Sequence, residues 1–242
     1  MTEAEESKLP LQQVLQQSSQ AINALKSHHK KPEVAKKDQE MVLMNITLKK
    51  ISPKPSVKPV RLHVPHPWRD LSDSSKLSVC LIVKDPLEES KKRIPEIPCL
   101  QYVDSVKGLN NKHKPFEAKR MLCASHDLFL ADERVLPCLP KILGKVFFNK
   151  KKIPVAVDLQ AKNVGEEIEK AISSTYMHLS SGPCVSIKIG TISQDTKSIL
   201  DNLEAVIHQL DKKLPEGGLQ NIRAISLKTS ESISLPVFEL KI

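Results

Sequence analysis

The chain has 242 residues, 40% of them apolar and 27% charged, with a formal charge of +9 at pH 7 and a pI near 9.2. That composition excludes a disordered chain and leaves room for one large domain or two of common size. The positive balance favours a polyanion, nucleic acid first, over an acidic small ligand, although solubilising lysines alone would give the same balance.

In chain order, Leu11, Val14, Leu15, Ile22 and Leu25 recur with the period of one helix face, which predicts an amphipathic helix over Leu9 to His28 with Pro10 near its first turn. Met41 to Ile51 is rich in branched residues and reads as a strand. The segment Ser52 to Pro67 carries five prolines, yet Val60, Leu62 and Val64 alternate with Arg61 and His63 as in an edge strand. Leu77 to Val83 is a continuous apolar run stopped by Lys84-Asp85-Pro86, the pattern of a strand buried on both faces. Short helices are expected over Tyr102 to Leu109 and Phe116 to Ser125. A strand over Asp127 to Ala131 should then end in Asp132, capping a helix from Glu133 to Leu143. Ile153 to Leu159 is strand-like, and Asn163 with Glu166 has the form of a capping box before a helix. Val185, Ile187 and Ile189 mark a half-buried strand, Ile199 to Leu210 a helix, Ile222 to Lys228 a strand and Pro236 to Leu240 an edge. The ends therefore read as α+β, and the middle, where strands alternate with helices, as α/β with a parallel sheet. Domain boundaries are expected at 70/71 and 159/160: residues 1–70 and 160–242 form a split first domain around an inserted 71–159.

The glycines, at 108, 144, 165, 182, 190, 217 and 218, form neither a dinucleotide-binding fingerprint nor a P-loop, so a nucleotide-using enzyme is disfavoured. The eight histidines and five cysteines fall in no zinc spacing, and the cysteines read as reduced core thiols. No G-x-S-x-G elbow marks a nucleophile. No catalytic residue, metal or cofactor is expected. No signal sequence opens the chain and no apolar run is long enough to span a bilayer, which leaves a membrane out of the expected partners and suggests an intracellular protein.

Two basic sets remain. Lys145, Lys150, Lys151 and Lys152 fall within eight residues between a helix and a strand, and a loop there could neutralise several phosphates or be only a solvated face. Lys49, Lys50, Lys54, Lys58 and Arg61 follow the first-domain strands, and Lys188 and Lys228 sit on strands that could join the same sheet. With few aromatic residues, contact with backbone phosphate is more plausible than base stacking.

At these residues the sequence resembles the ribosomal protein L-one family, and more closely its eukaryotic nucleolar assembly factors of the Utp-thirty type. The telling stretches are FLADERVLPCLPKILGKVFFNKKKIPVAVDL from Phe129, SIKIGTISQDTKSILDNLEAVIHQLDKKL from Ser186 and IRAISLKTSESISLPVF from Ile222. The resemblance implies a split α+β first domain with an inserted Rossmann-like three-layer α/β/α second domain. It also implies rRNA held by the first-domain sheet and by a Thr-Met-Gly turn, to which Thr229, Ser230 and Glu231 correspond. A glycine that lets backbone approach RNA is here a carboxylate that repels phosphate.

The candidate RNA-binding residues are thus Lys49, Arg61, Lys145, Lys150, Lys151, Lys152, Lys188, Lys228, Thr229 and Ser230. The function implied is a non-catalytic pre-rRNA-binding factor of rRNA processing and small-subunit (processome) assembly. It would be nucleolar, a monomer among other pre-ribosomal assembly factors in a large ribonucleoprotein particle. A large-subunit stalk protein and a protein-interaction scaffold are the alternatives.

Overall fold

The computed structural model describes residues 10–29, 40–51, 58–69, 77–95, 97–179, 182–214 and 217–240. Lys54 lies outside them, with residues 52–57 of the proline-rich segment. Two compact units result, Met1–Trp68 with Thr175–Ile242, and Arg69–Ser174. The second boundary thus falls after 174 and not at 159/160, because the helix that follows Asn163 packs within the second unit.

In the first unit, α1 (Leu11–His29) starts just after Pro10, whose carbonyl accepts from the Val14 N–H at 3.0 Å. The strands β1 (Met41–Leu48), β8 (Cys184–Thr191), β9 (Ile222–Lys228) and β10 (Leu235–Glu239) form one antiparallel sheet in the order β10-β9-β1-β8. Strict alternation along β1 sends Val42, Met44, Ile46 and Leu48 into a core with Ile22 and Leu25 of α1 and Leu203 and Val206 of α8 (Thr196–Lys213). Truncating one of these fully buried side chains to Ala would cost about 2–5 kcal/mol. A separate ribbon pairs β2 (Val60–Leu62) with β7 (Thr175–Met177). Buried Asn202 of α8 accepts from the His66 N–H at 2.8 Å and donates to the carbonyls of His66 (2.8 Å) and Ile189 (2.9 Å), which fixes the segment leaving β2.

The second unit holds a parallel sheet in the order β4-β3-β5-β6, from β3 (Val79–Val83), β4 (Leu100–Ser105), β5 (Leu128–Asp132) and β6 (Val155–Val157). Both β3 and β5 are buried along their whole length, the reason their sequences lack alternation. Helices α3 (Val106–Lys112), α4 (Phe116–Ser125), α5 (Leu139–Leu143) and α6 (Lys145–Asn149) supply Leu109, Leu122, Leu139 and Phe147 to a core with Cys80, Ile82 and Phe129. Two further helices are α2 (Leu87–Arg93) and α7 (Val164–Ser173).

Several sequence expectations are corrected. Tyr102 to Ser105 is strand, because these residues pair with β3, and the helix begins only after Ser105, whose Oγ accepts from the Gly108 N–H at 3.1 Å. The single helix expected over Glu133 to Leu143 is a 3-10 turn at Leu136–Cys138 followed by the short α5, since Pro137 and Pro140 lack donors for a continuous ladder. Asn163 caps with no side-chain bond to backbone; its amide donates to the Glu166 carboxylate at 3.0 Å. Cys80, Cys99 and Cys123 are buried, but Cys138 and Cys184 are exposed.

Candidate nucleic-acid interface

The face of the four-stranded sheet opposite α1 and α8 is built by register. Leu43, Asn45 and Thr47 point out from it because their neighbours point into the core. Pairing sets Lys188 and Lys228 on either side of Leu43, Ser186 and Ser226 on either side of Asn45, and Cys184 and Ala224 on either side of Thr47. With strands roughly 4.8 Å apart, the two lysine backbones stand about 10 Å from one another across Leu43. Ser186 Oγ donates to Asn45 Oδ1 at 2.7 Å, and Ser234 Oγ lies 2.9 Å from Ser226 Oγ. The short hydroxyl and amide side chains of the second row let a ligand approach the backbone closely, and neither of the first two rows contains a carboxylate. Glu239 enters at the β10 end of the third row, opposite Ala224.

Lys49 is exposed just beyond β1, at the far end of that strand from the lysine row. Its N–H and that of Lys50 are both taken by Asn221, through the carbonyl at 2.8 Å and Oδ1 at 2.7 Å. Arg61 lies on the β2 ribbon and not on the four-stranded sheet. Its carbonyl accepts from the Lys213 ammonium, and burial together with the Arg61 charge pushes the Lys213 pKa down. Thr229 is only 3% exposed. It forms a reciprocal turn with Ser232: the Thr229 N–H donates to Ser232 Oγ at 2.8 Å and Thr229 Oγ1 accepts from the Ser232 N–H at 3.2 Å. The turn therefore presents Ser230, Glu231 and Ile233, the last 79% exposed. Glu40 steadies it, accepting from the Glu231 N–H at 3.2 Å while its other oxygen lies 3.4 Å from His29 Nε2. Sequence reading passed over Asn45, Ser186 and Ser226; the alternation in β1 and β8 marks their outward direction, but their adjacency depends on register.

The lysines of the second unit are not one loop. Lys145 is the first residue of α6, and Lys150 to Lys152 form its C-terminal cap. The Lys151 N–H bonds to the Phe148 carbonyl at 3.0 Å and the Lys152 N–H to the Phe147 carbonyl at 2.9 Å, a Schellman pair that places Lys151 at φ 54°. Lys150 and Lys151 are exposed. Lys152 turns inward: Nζ donates to the carbonyls of Cys123 at 2.9 Å and His126 at 2.6 Å, satisfying the end of α4. His126 is buried, with Nδ1 2.7 Å from Ser78 Oγ, which donates to Gln101 Oε1. Burial lowers the His126 pKa, Asp127 opposing and Lys152 adding to the effect.

Two buried carboxylates of this unit, Asp104 and Asp132, are likewise engaged. Burial raises Asp104, but hydrogen bonds from Tyr102 at 2.8 Å and Lys112 at 3.1 Å more than offset this and hold its pKa low. Burial raises Asp132 as well, yet bonds and charge from Arg134, with Nη2 at 2.7 Å, hold it below the usual range. Among the described residues, no group of three His, Cys, Asp or Glu side chains is placed to hold a metal ion, and no helix is long and apolar enough to cross a membrane.

The family model of the ribosomal protein L1p/L10e family matches residues 25–233. A mouse ribosomal L1 domain-containing protein is 37% identical over 191 residues, covering 75% of this chain and 42% of its own length. A putative ribosome biogenesis protein of Schizosaccharomyces pombe is 34% identical over 223 residues, 88% of this chain and 58% of its own. The large ribosomal subunit protein uL1 of Cenarchaeum symbiosum is 33% identical over 105 residues, 43% of this chain and 48% of its own. The chain thus spans about half the length of the eukaryotic relatives.

Proposed function

The chain belongs to the ribosomal protein L1p/L10e family, and from that premise we propose that it is a non-catalytic ribosome biogenesis factor that binds pre-rRNA. It acts in rRNA processing and small-subunit (processome) assembly, in the nucleolus, as a monomer beside other assembly factors within a large ribonucleoprotein particle. The observation that carries the RNA-binding part is the open sheet face, with Lys188 and Lys228 astride Leu43 and the Ser186–Asn45–Ser226 row beside them. Cations there neutralise phosphates, and the short polar row offers hydrogen bonds to sugar or base edges. Lys49 and Ser230 extend this face at its two ends, and Lys145, Lys150 and Lys151 add a less specific share on the second unit. Arg61, Lys152 and Thr229 act through structure: the Arg61 carbonyl takes up the Lys213 ammonium, Lys152 holds a helix end and Thr229 holds a turn.

The second unit, with its parallel order β4-β3-β5-β6, is read as an inserted Rossmann-like α/β/α domain. A fragment of residues 69–174 is expected to melt cooperatively by itself. RNA titration at two salt concentrations tests the function. The double variant Lys188→Ala/Lys228→Ala should lose about tenfold in affinity and reduce the salt slope by about two phosphate contacts. Crosslinking of the tagged protein in cells should recover pre-rRNA; recovery of messenger RNA alone would overturn the reading.

A further inference from the structure

Helix α4 leaves large apolar side chains in water. Leu122 and Cys123 turn into the core, whereas Phe116 and Met121 are 64% and 66% exposed. A 3.6-residue period sets Phe116 and Arg120 in line on the outer face, with Met121 at its border. Both ends of this face are basic. Lys114 precedes the helix, and at the other end Lys150 and Lys151 stand beside it because the Lys152 ammonium grips the carbonyls of Cys123 and His126.

The charge is locally one-sided. Residues 106–152 contain eleven Lys and Arg against four Asp and Glu, so most of the chain's excess charge lies here. Three of the four opposing acids have contacts of their own: Asp132 with Arg134, Asp127 with the Ser78 N–H, and Glu117, in an exposed contact of 3.4 Å, with Arg120. Ten residues of helix span about 15 Å, room for several phosphates along a strand.

We propose that the outer face of α4 is a second RNA surface, on which Phe116 stacks an unpaired base while the cations at both helix ends hold the flanking phosphates. It rests on the RNA-binding reading above and adds a class of target, RNA with an unpaired nucleotide. A flat ring in water between cations is what a splayed base requires, and each such stack is worth roughly tenfold in affinity. The open rows of the first unit's sheet hold no aromatic side chain, so they bind phosphate and polar edges and leave base stacking to α4.

The test titrates the full chain with two RNAs of equal length, one fully paired and one with a single-stranded loop, at two salt concentrations. Phe116→Ala should weaken the looped RNA about tenfold with its salt slope unchanged, leave the duplex unaffected, and be rescued by Phe116→Tyr. Lys114→Gln with Lys150→Gln should weaken both RNAs and lower both slopes by about two contacts. Thermal melts should not move, since these side chains are exposed. If Phe116→Ala changes neither titration while Lys188→Ala/Lys228→Ala weakens both, the α4 proposal fails and the sheet reading stands. A wild-type chain that binds neither RNA sinks both. Unchanged RNA binding by Phe116→Ala, with protein neighbours lost from the particle in cells, would assign α4 to a protein partner instead.

Discussion

The two units carry their lysines in opposite ways. In the first, Lys188 and Lys228 are far apart in sequence and are brought to one row by their shared partner Leu43. In the second, Lys150, Lys151 and Lys152 are consecutive, yet they divide into two solvent-facing charges and one ammonium committed to the carbonyls that end α4. Density along a chain is therefore a poor measure of charge available to a ligand. A strand points its side chains by alternation, whereas a helix end exposes unsatisfied carbonyls that draw the nearest cation inward.

The sharpest way to break this contrast is to remove the inward lysine. Lys152→Ala should destabilise the second unit by about 2–3 kcal/mol, since two carbonyls lose a charged donor, and should barely alter the salt slope of RNA binding. A slope lowered by a full contact, with the melt unmoved, would return Lys152 to the RNA side.

Lys151 offers the converse test. At φ 54° an L-residue is strained where glycine is not, so Lys151→Gly should stabilise the unit by about 1 kcal/mol and Lys151→Ala should not, while both remove the same charge. Differential melting of the two variants checks it; equal melting points would mean the cap is not held in this form.

His126 ties the comparison to pH. Its folded pKa is lowered by burial below the ordinary 6.5, so between the two values the unfolded chain binds more protons. The stabilisation is complete above about 6.5 and declines as the pH falls through that value. Melting at pH 7.5 and 5.5 should show the decline for the wild type and a weaker one for His126→Gln.

The smallest effect is expected at the turn of the first unit. Glu231→Gly should strengthen RNA binding two- to threefold, on the order of 0.5 kcal/mol, by removing an exposed carboxylate near the lysine row. Because the backbone N–H of residue 231 still reaches Glu40, the turn should persist. Weaker RNA binding in this variant would instead mark the turn, with exposed Ile233, as a contact for a protein neighbour.

Much of this protein is legible in short residue patterns. Apolar periodicity marked α1 and α8, branched residues marked β1, alternation marked which side chains of β8 face outward, and the scattered glycines excluded the standard phosphate loops. These signals are local: a helix or strand repeats within a few residues, and a missing glycine is missing wherever the chain goes. Other features arise only from contacts between distant segments. Tyr102 to Ser105 became strand because β3 offered a partner, and Arg61 lies off the four-stranded sheet because β2 paired with β7. Thr229 was drawn into a turn by Ser232, and Lys152 into the end of α4. Each outcome depends on a donor, acceptor or strand edge supplied by another part of the chain, and no pattern within the residue's own segment encodes it.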